Sequence, residues 1–80
     1  MSITTLYNKL AKQGYNVERI TIYNVNGSGK DAAGIIARHD YNGLYPTRDA
    51  LETHAAISNI ARRAGFTANN RGHYTATLIY

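Results

Sequence analysis

Few side chains in this sequence are suited to acid–base or nucleophilic work. They are three histidines, His39, His54 and His73, and three serines, Ser2, Ser28 and Ser58. A nucleophile needs a general base and an orienting group held beside it, and no serine here lies in a recognisable elbow. The histidines are far apart in the chain and match no metal-ligand spacing. His39-Asp40 is an adjacent pair, but neighbours on a strand point to opposite faces. The GSGK of residues 27–30 invites comparison with a phosphate-binding loop. It lacks the first glycine of G-x-x-x-x-G-K, has Asp31 where Ser or Thr belongs, and precedes no helical pattern. The expectation is a protein that is not an enzyme and takes neither a metal nor another cofactor.

Binding chemistry is better represented. Nine Lys and Arg stand against five acids, giving a net charge of +4 and a pI near 9.6. Arg19, Arg38, Arg48, Arg62, Arg63 and Arg71 outnumber Lys9, Lys12 and Lys30. Guanidinium groups favour bidentate pairing with phosphate or carboxylate, so the partner expected is nucleic acid or an acidic protein face. There are seven tyrosines, one Phe and no Trp. Tyrosine tolerates a wet edge and is enriched at interfaces.

The elements that must position these groups follow from periodicity. Residues 18–25, ERITIYNV, alternate Arg19, Thr21, Tyr23 and Val25 with Glu18, Ile20, Ile22 and Asn24, the pattern of a half-buried strand. Ile3, Leu6, Tyr7, Leu10 and Ala11 form an amphipathic stripe that predicts a helix over 3–13, with Ser2 as N-cap and Gly14 just past its end. Residues 26–31 read as a hairpin loop, 32–40 as a second strand, and 41–46 as a loop holding Tyr41, Tyr45 and the only proline. A second helix is predicted over 48–64, capped by Thr47, with Asp49 and Glu52 near its positive end, Arg62 and Arg63 at the other, and Gly65 beyond. Its stripe of Ala50, Leu51, His54, Ile57, Ala61 and Ala64 makes His54 a half-buried, hydrogen-bonded histidine rather than a ligand. Residues 67–72 read as a polar loop and 73–80 as a third strand. NKLAKQGY (8–15) echoes NIARRAGF (59–66), read as one helix-to-strand turn used twice and not as a repeat architecture.

The fold class expected is α+β, in the order α-β-β-α-β. A right-handed crossover places the third strand beside the first in a three-stranded antiparallel sheet of order 2-1-3, with both helices on one face. The open face then carries Arg19, Thr21, Tyr23, Thr75, Thr77, Arg38 and His73. Tyr41, Tyr45, Arg62, Arg63 and Arg71 extend the candidate binding surface from loops and the helix end. Eighty residues make one domain, residues 1–80. Without cysteine, neither a disulfide nor a thiolate metal site is possible. No secretory signal or membrane span is expected, which with the lack of cysteine suits the cytoplasm.

Two resemblances add to this reading. LYNKLAKQGYNVERI (6–20) is similar to the helix-glycine-aromatic-strand start of the HicA-type mRNA interferase toxins. Those toxins continue with a Gly-Ser-His catalytic turn, whereas NGSGKDAAG (26–34) has no histidine, so their activity is not carried over. Across the whole chain, in size, single-domain α/β build and lack of a catalytic motif, the protein resembles the small anti-CRISPR proteins of phages and mobile elements. That resemblance implies a stoichiometric inhibitor that sits on a larger bacterial protein or ribonucleoprotein complex, in the host cytoplasm, and blocks nucleic-acid recognition or nuclease recruitment. The alternatives are a small basic RNA- or DNA-binding domain using the open sheet face, and a homodimer joined through an edge strand.

Overall fold

The structure is a computed structural model that describes residues 1–39, 46–72 and 74–80. It has two helices, α1 (Ile3–Lys12) and α2 (Arg48–Arg63), and four strands, β1 (Val17–Ile22), β2 (Ala32–Arg38), β3 (Ala68–Arg71) and β4 (Ala76–Ile79). The helix boundaries follow the caps: the Ser2 hydroxyl accepts from the Thr5 N–H and the Thr47 hydroxyl from the Ala50 N–H. The GSGK segment lies in the β1–β2 loop, which contains a 3-10 turn at Val25–Gly27 and leads into a strand rather than a helix.

The sheet is antiparallel throughout, as expected, but it has four strands in the order β1-β2-β4-β3. The three-stranded 2-1-3 order is therefore corrected. Residues 68–71, read from sequence as loop, form β3. This extra strand reverses the chain once more, so the last strand returns antiparallel to β2 and beside it, and the parallel crossover runs from β2 through α2 to β3, with β4 between them.

The echo between the helix ends proves to be more than a shared turn. Gly14 and Gly65 have φ of +91° and +90°, which glycine adopts without strain. Their N–H groups donate to Ala11 and Arg62 carbonyls at 3.0 Å each. Arg38 N–H then donates to the Asn16 carbonyl at 2.9 Å, and Tyr80 N–H to the Thr67 carbonyl at 3.1 Å. In the hairpins Val17 pairs with Ala37 as Ala68 pairs with Ile79, and Glu18 with Ile36 as Asn69 with Leu78. These matches make Ile36 the counterpart of Leu78, and those two residues face each other across β2 and β4. The chain is thus an αββ unit built twice around an approximate two-fold axis through the Ile36–Leu78 pair.

The core obeys the same axis. Leu6 and Ile57, Leu10 and Ala61, Ala37 and Ile79 are counterparts, and all are buried in one cluster between the helices and one face of the sheet. Leu51, placed on the buried stripe by sequence, is exposed instead.

Candidate functional site

Both helices cover the face that carries Val17, Ile35, Ala37 and Ile79. The alternation of β-strand side chains sends their neighbours the other way. The uncovered face therefore holds Ile20 and Ile22 from β1, Ile36 from β2, Leu78 from β4 and Tyr80 beyond it, all half-exposed. The Tyr80 hydroxyl accepts from the Asn69 side-chain amide at 3.1 Å, holding its ring at the β3 side. Gly34 is buried among them, with the Ile22 side chain lying across it.

This inverts the expectation for β1. Arg19 is opposite Ile35 in the register, so it belongs to the helix side, at the sheet edge, where its guanidinium donates to Thr4 Oγ1 of α1 at 2.8 Å. Thr21 shares that side, and so does Thr77 of β4, expected on the open face but paired with Ala37 and fully buried. Tyr23 lies past the end of β1 and is 77% exposed. The cause is a slip of one residue in face assignment: Ile20 and Ile22 find apolar partners in Ile36 and Leu78 on the uncovered face.

The other candidates separate. Arg38 and Arg71 share the uncovered face, both aligned with Ala76 between them, about 10 Å apart by strand spacing. Arg38 reaches Glu18 at 3.5 Å, both exposed, a pair of little energetic weight. Arg62 and Arg63 end α2 on the helix side, where Arg62 donates to the Ala68 carbonyl at 2.8 Å. Tyr41, Tyr45 and His73 lie outside the described residues. Among the described residues, the candidate arginines Arg19, Arg38, Arg62, Arg63 and Arg71 do not converge into one strip. The isoleucines, Leu78 and Tyr80 were missed as a surface, although the alternation of Ile20 with Ile22 was the available signal.

A second cluster joins two of the histidines. His39, 5% exposed at the end of β2, places Nε2 2.6 Å from Thr77 Oγ1, and His54 of α2 places Nδ1 2.7 Å from the same oxygen. His54 is half-buried and hydrogen-bonded, as its place on the stripe implied. Its pKa is lowered from the usual histidine value, first by burial and then by the Arg62 charge. His39 also lines a cavity of about 270 Å³, with Tyr15 and Asn16 after α1, Arg38 of β2, and Asp49 and Thr53 of α2.

Comparison with known proteins leaves the geometry to speak alone: no family model, curated protein or solved structure matches this chain. Among the described residues, no helix is long and apolar enough to cross a membrane.

Proposed function

We propose that this chain is a non-enzymatic binding protein that docks through its uncovered sheet face onto another protein, acting as an inhibitor of a bacterial defence complex of the kind anti-CRISPR proteins target. The observation that carries the reading is the contiguous set of Ile20, Ile22, Ile36, Leu78 and Tyr80 left half-exposed on the face opposite both described helices. Contiguous apolar patches on small proteins mark interaction sites, and an apolar centre with a polar rim is the anatomy of a protein interface. The rim here is Arg38, with Glu18 beside it, and Arg71, in a chain of net charge +4, so the partner chemistry that fits is an apolar patch bordered mainly by carboxylates. The dispersal of the other arginines favours this over nucleic acid, which would call for a converged basic strip.

The test is phage plating on bacteria with active CRISPR immunity, paired with purification of the tagged protein under nuclease and salt washing. The native chain should restore plating and retain one defence-complex component. Ile36→Gln with Leu78→Gln should abolish both while keeping the native circular-dichroism spectrum, and Arg63→Glu, on the helix side, should abolish neither. Retention of nucleic acid alone, lost on nuclease treatment, would transfer the function to RNA or DNA binding. Activity surviving the Gln pair would overturn the docking face.

A further inference from the structure

The two-fold relation between the halves shows where the core has changed its chemistry. Counterparts in the helices and strands pair Ile3 with His54, Tyr7 with Ser58, and Ile35 with Thr77. At each of these places the second half substitutes a polar side chain. The substitutes touch one another: Thr77 Oγ1 meets His54 Nδ1 at 2.7 Å, and His54 Nε2 lies 3.5 Å from Ser58 Oγ. His39 completes the chain from β2 at 2.6 Å. We propose that His39, Thr77 and His54 form a proton-sensitive joint, which holds α2 against β4 while the imidazoles are neutral and loosens as they take up protons.

The argument rests on proton counting in a closed space. Thr77 is fully buried, so water does not complete its bonds. A hydroxyl has one hydrogen: Thr77 donates to one ring and accepts from the other, an arrangement that two neutral imidazoles satisfy. Protonated His54 donates from both nitrogens and turns Thr77 into its acceptor, so the hydroxyl hydrogen must go to His39 Nε2. Once His39 also carries a proton at Nε2, that hydrogen loses its acceptor inside the core, a costly state.

The charge nearest His54 works in the same direction. Arg62 of α2 repels a cationic His54. Tyr74, from the β3–β4 turn, sets its ring edge-on to His54 with centroids 5.0 Å apart. Arg38 and Asp49 line the cavity on which His39 opens, one of each sign. Among the described residues, no carboxylate lies within ion-pair distance of His54. Because the folded state lowers the His54 pKa, the stability it contributes is complete above the ordinary value near 6.5 and is lost as pH falls through it toward the folded value.

The experiment combines thermal unfolding with amide hydrogen exchange at pH 7.5 and pH 5.0, the exchange corrected for intrinsic rate. The wild-type Tm should fall by about 5 °C or more. Protection should drop roughly fivefold or more in residues 54–61 and in β4 relative to α1 and β1. In His54→Ile with Thr77→Val, which restores apolar chemistry to the joint, most of the Tm loss should disappear. A flat wild-type Tm, a loss unchanged in the double variant, or a uniform fall in protection would each overturn the joint. Should the double variant fail to fold, the location of the wild-type exchange decides.

Discussion

Single atoms decide how the uncovered face is built. A Cβ placed on Gly34 would lie 2.7 Å from both Ile22 Cδ1 and the Ile79 carbonyl oxygen. The side chain can swing aside, but the carbonyl belongs to the backbone of the neighbouring strand and cannot. Ordinarily Ala replacing Gly within a strand adds stability, because glycine loses more freedom on folding. Here the sign should reverse: Gly34→Ala is expected to destabilise by about 1–3 kcal/mol, measured by urea unfolding, and a neutral or stabilising result would show that the β2–β4 contact is looser than described. At this scale the sequence was legible where chemistry is local. Ser2, Gly14, Thr47 and Gly65 announced the helix ends because a cap acts within a few residues of itself. His39, Thr77 and His54 were not legible as a group, because the residues they join are distant in the chain and no spacing announces a shared hydroxyl.

Strands show a different limit. β1 was legible as a strand but not in its facing, since Arg19-Thr21 and Ile20-Ile22 alternate with equal regularity and only tertiary partners choose between them. β3 was not legible at all. Ala68-Asn69-Asn70-Arg71 holds residues of poor strand propensity, and its conformation comes from pairing with β4 and from α2. The Arg62 guanidinium fixes that strand by donating to the Ala68 carbonyl at 2.8 Å, so a helix end pins a sheet edge. Arg62→Met keeps the aliphatic stem and removes the donor. It should cost about 1 kcal/mol and raise amide exchange in β3 well above that in β1. Equal exchange in the two strands would mean that the hairpin needs no such pin. Removing Arg62 also takes away a charge that lowers the His54 pKa, so the midpoint of His54 titration should rise in the same variant.

The whole molecule is where one short echo in the sequence carried the most unread information. NKLAKQGY and NIARRAGF match only at the helix end, and the strands that follow differ so much in sequence that Arg19 answers to Asn70 and Ile35 to Thr77. The backbone kept what the side chains did not: matched turns, matched hairpin registers and an axis through Ile36 and Leu78. If the two αββ halves are equivalent building blocks, the order in which the chain visits them is not essential. The link from β2 to α2 and a link from Tyr80 back to α1 span related positions, Arg38 to His54 in one case and Tyr80 to Ile3 in the other. A flexible Gly/Ser linker of roughly 12 residues reaches up to about 40 Å when extended, enough for the second span in a molecule whose longest dimension is 35 Å. A circular permutant opened between His39 and Pro46 and closed by that linker should therefore fold to the same spectrum, with a Tm within about 5 °C of the native chain. It should also keep docking, because Ile20, Ile22, Ile36 and Leu78 of the uncovered face come from both halves and none of them adjoins the new linker, which starts from Tyr80. Failure to fold would mean that the β2–α2 connection does more than join two equivalent units, and the two-fold relation would then describe the shape of the molecule without describing how it is held together.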